Sequence, residues 1–232
     1  MYPAVELFTG ALFVLTYYTF GITLPTFKFL LFGCLLIILI VTDIRVRILP
    51  DSVNWFGFGL GLTFATKILP SGFLGFYYDA WIYFRPLPPV LTRVLDALLG
   101  AALGSLLLWG AATVYKLVRK REGMGMGDIK MMAMVGAFLG VRGAFLTVLV
   151  GTLLGSVIGL ALVLCLFLFG WQRELAERAH RRGFGSLLSL RWALAAQYQL
   201  PLGSFLGIGA FLVVYAVPWF LYGIPHYLGV TR

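Results

Sequence analysis

Residues 143–170 read GAFLTVLVGTLLGSVIGLALVLCLFLFG, a run that contains no charged side chain. Such a run is typical of a membrane-spanning helix, since about 20 apolar residues cross the hydrocarbon core. The rest of the chain agrees with this: of its 232 residues, 61% are hydrophobic and 12% are charged, and the mean hydropathy is +0.96. A soluble domain of this length could not bury so much apolar surface. The composition therefore excludes a soluble enzyme, a disordered chain and a collagen-like chain.

Six further hydrophobic segments surround this run, which gives about seven in all, within a range of six to eight. Two of them, 27–42 and 129–141, are short for a spanning helix and are expected to tilt, to include flanking residues, or to lie partly inside the bundle beside a wet cavity. Glycines spaced by four residues, such as Gly100 and Gly104, predict close packing between helices. We therefore expect an all-α fold, a polytopic membrane helix bundle that forms a single domain over residues 1–232. The segments lie at about 4–22, 27–42, 53–69, 94–115, 129–141, 143–170 and 202–222.

Basic residues are concentrated in three of the connections between these segments. Residues 43–53, 116–127 and 171–200 hold eleven of the 18 Lys and Arg residues. The positive-inside rule places these three loops in the cytosol, together with the N-terminus, and places loop 70–92 outside. The formal net charge of +9 then indicates orientation and contact with anionic lipid rather than binding to nucleic acid.

Only nine residues are acidic, and two of them stand at the cytosolic ends of hydrophobic segments. Asp43 directly follows ILIVT at the end of the second segment, and Asp128 opens the fifth. Charged groups at membrane depth are energetically costly and are functional candidates by default. Two carboxylates brought close can share one proton, so that one acts as a base toward water while the other donates a proton to a carbonyl. The pair therefore predicts a catalytic site.

The helix ends distinguish the two aspartates. Asp128 lies at the N-terminus of its helix, where the helix dipole favours the charged form, and Lys130 adds to this effect if it points back. Asp43 lies at a C-terminus, where the dipole favours the neutral form. From the helix ends alone, Asp128 is expected to be the carboxylate of the resting pair, although the two groups titrate as a unit.

Four stretches together resemble the bacterial type IV prepilin peptidases. Residues 125–130 (GMGDIK) resemble the GxGD-x-K motif of that family, and residues 43–51 (DIRVRILPD) are similar to its other aspartate motif. Residues 2–10 (YPAVELFTG) resemble the Pro-x-x-Glu-x-x-Thr pattern at the first span of the peptidase core. Residues 200–206 (LPLGSFL) resemble the Pro-Phe-Gly-Pro-Phe segment before the last span, with Leu202 and Ser204 replacing Phe and Pro.

The resemblance implies an intramembrane aspartyl endopeptidase of the GxGD kind in the bacterial cytoplasmic (inner) membrane. Such an enzyme cuts the basic leader peptide from type IV prepilins or type II secretion pseudopilins at the cytosolic membrane face. It also implies that Asp43 and Asp128 are the catalytic pair and that neither a metal nor another cofactor is needed. Further motif positions are candidates for substrate contact: Gly125, Gly127, Lys130, Asp51, Pro50 and Glu6.

One activity that is usual in the family is not expected of this chain. Most bacterial members insert a cytosolic domain with two C-x-x-C pairs, which binds zinc and supports N-methylation of the mature pilin. Cys34 and Cys165 both lie in apolar runs and cannot supply such a site. Cleavage without methyltransferase activity is therefore expected, and the stretch 171–200 looks like an insertion.

Two other function classes stay open at this point. A proton- or ion-coupled transporter would also use aspartates at membrane depth, although no inverted repeat with broken helices is found in the sequence. In a purely structural membrane protein, the aspartates would pair with Arg45 or Lys130. Incubation of the purified protein with a prepilin separates these classes.

Overall fold

The computed structural model of the protein describes residues 2–67, 88–120, 125–169 and 202–222. Within these ranges all regular secondary structure is helical, which confirms the all-α expectation. The expected loop 171–200 and most of loop 70–92 lie outside the described residues. The helices are α1 (Tyr2–Phe20), α2 (Leu24–Val46), α3 (Asp51–Lys67), α4 (Pro89–Arg119), α5 (Met126–Phe169) and α6 (Leu202–Tyr222).

Three helical stretches in the described residues are long and apolar enough to cross a membrane, judged by length and composition. They are Leu24–Val46, Val90–Val118 and Met126–Ala161. The structure is thus that of a membrane helix bundle. The number of about seven spans and the cytosolic position of the N-terminus stay predictions.

Helix α2 is longer than its hydrophobic run, which ends at residue 42. It contains 23 residues and carries a proline in its first turn, where a missing backbone N–H costs no helical hydrogen bond. At the other end Arg47 adopts a left-handed conformation (φ 55°), and its N–H bonds to the Asp43 carbonyl at 3.0 Å. This C-cap keeps Asp43 inside the last turn of α2. The loop expected at 43–53 is therefore mostly helical, and only residues 47–50 connect α2 to α3.

Helix α5 reverses its direction at Gly140, whose backbone (φ 71°, ψ −173°) is not helical. A Cβ atom on Gly104 of α4 would lie 3.1 Å from the Met132 carbonyl oxygen and 3.5 Å from Ala144 Cβ. A straight helix would hold residues 132 and 144 about 18 Å apart. The chain therefore forms two antiparallel arms, which correspond to the segments expected at 129–141 and 143–170.

A carboxylate of α4 binds the chain directly after the reversal at Gly140. Asp96 Oδ1 accepts a hydrogen bond from the Val141 N–H at 3.3 Å, directly after Gly140. Close to this point the backbones of α4 and α5 touch, since a Cβ atom on Gly136 would overlap the carbonyl group of Gly100. The packing predicted from glycines spaced by four is thus present between these two helices.

The core of the bundle lies around the first arm of α5. This arm packs against α3, α4 and α6, while α2 packs against α1, α3 and α6. The central side chains are almost entirely apolar and fully buried, which fixes the depth and rotation of the helix ends that carry the aspartates. They include Phe32, Leu36, Leu39, Met131, Met134, Val135, Phe138 and Leu206.

Candidate active site

The two aspartates singled out by the sequence meet at one end of the bundle. Asp43 lies in the last turn of α2 and Asp128 in the first turn of α5, and their exposed fractions are only 6% and 8%. A Cβ atom placed on Gly203 would lie 2.7 Å from Asp128 Oδ1 and 3.0 Å from Asp43 Oδ2. The two carboxylate oxygens are therefore no further apart than the sum of these distances. One water molecule hydrogen-bonded to both oxygens can span that gap.

Gly203 is the residue that lets α6 approach this pair. It is the second residue of α6, and a side chain there would press on both carboxylates and would also lie 3.1 Å from Leu49 Cδ1. A glycine at this position allows the helix backbone to pass directly beside the carboxylates. The sequence placed Gly203 in a motif-like stretch but did not single it out as a site residue.

Ser204, the next residue, binds Asp43 directly. Its backbone N–H donates to Asp43 Oδ2 at 2.6 Å, and its hydroxyl donates to the same oxygen at 2.8 Å. Ser204 is buried, with 3% of its surface exposed. In the sequence, Ser204 could be noticed only because it lies within the motif-like stretch 200–206. That stretch did not indicate which atom Ser204 would contact.

Leu49, in the short connection between α2 and α3, covers the start of α5. It is buried, and a Cβ atom on Gly127 would lie 2.9 Å from Leu49 Cβ. Gly125 differs from Gly127, because it is exposed and a Cβ atom on it would meet only the Gly127 nitrogen, at 3.9 Å. Of the two motif glycines, Gly127 is thus required by packing, whereas Gly125 lies on the open side of the helix start.

Lys130 and Asp51 pair with each other beside the site. Lys130 Nζ lies 2.5 Å from Asp51 Oδ2, and the two side chains are 33% and 58% exposed. Pro50 precedes this pair, and its carbonyl accepts the N–H groups of Val53 and Asn54 in the first turn of α3. Lys130 therefore joins α5 to α3, and the ion pair between Lys130 and Asp128 considered in the purely structural interpretation is not formed.

Glu6 is not brought into this cluster by any polar contact. It is exposed in α1, and its carboxylate makes no hydrogen bond or ion pair with a residue in the described part of the chain. Its proposed contact with substrate stays a prediction from the motif.

The fold and the site define a membrane helix bundle with two buried carboxylates at the ends of neighbouring helices. The model of the type IV leader peptidase family matches residues 30–160, which is more than half of the chain and includes Asp43 and Asp128. The chain belongs to the type IV leader peptidase family. This confirms the resemblance drawn from the motifs.

Several curated relatives carry the name prepilin leader peptidase/N-methyltransferase. The protein of Xanthomonas campestris pv. campestris is 31% identical over 189 residues, covering 82% of this chain and 56% of the relative. That of Stutzerimonas stutzeri is 34% identical over 158 residues, covering 68% of this chain and 47% of the relative. That of Pseudomonas aeruginosa is 33% identical over 162 residues, covering 70% and 49% respectively. The chain spans about half the length of these relatives. No solved structure is significantly similar to the chain.

Proposed function

We propose that the protein is an aspartyl endopeptidase that cleaves the leader peptide from type IV prepilins or type II secretion pseudopilins. The observation that carries this proposal is the adjacency of Asp43 and Asp128, both buried and both beside Gly203. Family membership supports the peptidase class, and the names of the relatives support the prepilin substrates. No comparison supports the transporter interpretation.

The proposed reaction needs only the two carboxyl groups and one water molecule. Two carboxylates this close do not ionise together easily, so the pair holds one proton. The charged member removes a proton from the water as it attacks the scissile carbonyl carbon, and the protonated member donates its proton to the carbonyl oxygen. Collapse of the tetrahedral intermediate then breaks the C–N bond, and the leaving nitrogen takes up a proton from the pair.

The location of the pair fits a substrate whose cleavage site borders a hydrophobic helix. Asp43 lies in the last turn of one apolar helix and Asp128 in the first turn of another. The site therefore lies at one end of the bundle, close to the membrane surface, and not at the centre of the bundle. Together with the distribution of Lys and Arg, this supports a multi-pass protein of the bacterial inner membrane that cuts on the cytosolic side.

Attraction of a basic leader must come from local acidic groups, because the whole chain carries a net charge of +9. Asp51 is the strongest candidate in the described residues, since its side chain is 58% exposed and its carboxylate lies next to the helix that carries Asp128. The Lys130 ammonium would exchange its partner when a basic leader binds. A direct contact between Asp51 and the leader is thus the proposed basis of recruitment.

The direct test is incubation of the purified, detergent-solubilised protein with a full-length prepilin. Mass spectrometry should find the mature pilin and the free leader, and the cut should lie next to the hydrophobic segment. A prepilin whose leader Lys and Arg residues are replaced by Gln should be cut more slowly. An intact prepilin after incubation with folded protein would contradict the proposal.

A further inference from the structure

The contacts of Ser204 bear on which of the two aspartates is charged. We infer that Ser204 is a positioning residue that fixes the Asp43 carboxylate and makes Asp43 the charged member of the pair. The role assigned here rests on the proposed peptidase function. Asp43 then acts as the general base toward water, and Asp128 carries the proton that is delivered to the substrate carbonyl.

The geometry carries this inference because two donors converge on one oxygen. The Ser204 N–H and the Ser204 hydroxyl both bond to Asp43 Oδ2, at 2.6 Å and 2.8 Å. Two hydrogen bonds donated to one carboxyl oxygen stabilise its negative charge and leave no room for a proton on that atom. They also fix the side chain of Asp43 in a single orientation, which leaves its other oxygen to accept the proton of the water.

The position of Ser204 at the start of α6 adds to this effect. It is the third residue of the helix, so its N–H is one of the first four that have no partner within the helix. The positive end of the α6 dipole is therefore directed at Asp43. The same N–H would be unsatisfied in this buried place if Asp43 did not accept it.

The Asp128 carboxylate has no comparable support. Among the residues that the structure describes, no group donates a hydrogen bond to it. The sequence suggested the opposite assignment because only the dipole of each aspartate's own helix could be considered. The structure adds the N-terminus of a third helix, and that N-terminus faces Asp43.

The hydroxyl bond needs a serine or threonine at this position, whereas the N–H bond needs any residue other than proline. The family segment resembled by residues 200–206 has a proline there, and proline has neither an N–H nor a hydroxyl. The charge of Asp43 in this chain is therefore supported by a residue outside the usual motif.

A hydroxyl deletion with a matched control tests the positioning role. Ser204→Ala removes one of the two donors, and we expect kcat to fall about tenfold, as for loss of one hydrogen bond to a charged group, with KM changed less than about twofold. The control is Thr16→Val, which removes the 2.8 Å bond between Thr16 and Tyr215, another α6 residue about 16 Å along the helix from Ser204. This control should retain the kcat of the wild type. An unchanged kcat for Ser204→Ala would overturn the inference. A fall in kcat that is fully explained by a lower melting temperature, and hence by less folded protein, would overturn it as well.

Infrared difference spectroscopy gives a second readout that does not depend on cleavage. The spectrum of the wild type minus that of Ser204→Ala should contain a shifted carboxylate band, and the shift should vanish when Asp43→Asn is present in both proteins. A shifted band of a protonated carboxyl group that disappears when Asp43→Asn is present in both proteins would show that Asp43 carries the proton and would overturn the inference. If instead the wild type fails to cut prepilin while the carboxylate shift is found, the proposed function fails and the charge assignment stands.

Discussion

Asp43 Oδ2 and Asp128 Oδ1 both lie within 3.0 Å of the point that a Cβ atom of Gly203 would occupy. A helix that carries neither aspartate thus presses its backbone against both. The pair is consequently held by three helices, α2, α5 and α6. It is buried, and within the described residues neither carboxylate forms an ion pair with a lysine or arginine. This arrangement favours a shared proton over an ion pair.

Replacement of Gly203 by alanine should greatly slow the proposed cleavage. The added methyl group would push the two carboxylates apart, and displacements of this size at a catalytic centre cost about a hundredfold or more in rate. The measurement is the single-turnover rate of prepilin cleavage.

The matched control for this change is Gly110→Ala in α4. A Cβ atom there has nothing within 4 Å, so the variant should keep the wild-type rate and gain up to about 1 kcal/mol in helix stability. A Gly203→Ala variant that is folded and as active as this control would show that the close approach of α6 is not needed for catalysis.

The rate of the proposed cleavage should rise and then fall as pH increases. At low pH both aspartates are protonated and the base is lost, whereas at high pH both are ionised and the proton donor is lost. The profile of kcat/KM against pH, with circular dichroism at each pH to monitor folding, measures this. A rate that does not vary over the pH range in which the protein stays folded would argue against a carboxyl pair.

Loss of the Asp51 carboxylate should weaken substrate binding more than it weakens the fold. The Lys130–Asp51 pair is partly exposed, so Asp51→Asn should lower the free energy of unfolding by less than about 1 kcal/mol. If Asp51 attracts the basic leader, KM should rise severalfold with kcat unchanged, and the difference from wild type should shrink at high salt. An unchanged KM would remove Asp51 from the recruitment of substrate.

Substitution of Gly140 should destabilise the bundle. Its backbone angles (φ 71°, ψ −173°) fall in a region that is open almost only to glycine, so Gly140→Ala should cost about 1–3 kcal/mol in the free energy of unfolding. Thermal unfolding in detergent would measure it against Gly59→Ala, where a Cβ atom again meets nothing within 4 Å. Equal melting temperatures for the two variants would contradict the reversal of the chain at Gly140.

The sequence was sufficient to find the two aspartates and the helical class. Asp43 and Asp128 stand out because a charge directly at the end of a long apolar run is rare, and because each lies in a motif. The two arms of α5 were also expected as separate hydrophobic segments, since Arg142 interrupts the apolar sequence. These features are local along the chain, so periodicity and composition reveal them.

Apart from the meeting of the two aspartates, features that depend on contacts between distant segments were not predicted. The bonds from Ser204 to Asp43 join residues 161 positions apart, and no local pattern encodes them. The sequence placed Lys130 beside Asp128, but its side chain pairs with Asp51 of α3 instead. The expected loop at 43–53 was too long because the C-cap at Arg47, a left-handed residue that is not glycine, has no signal in the sequence.

The most direct test of the carboxyl pair is the single-turnover cleavage rate of Asp43→Asn, Asp128→Asn and the double variant, compared with the wild type on one prepilin. Residues that act as a unit show non-additive losses. We expect each single variant to lose at least about a thousandfold in rate, with no further loss in the double variant, while all three proteins remain folded. A folded single variant that cleaves at the wild-type rate would contradict the assignment of Asp43 and Asp128 as the catalytic pair.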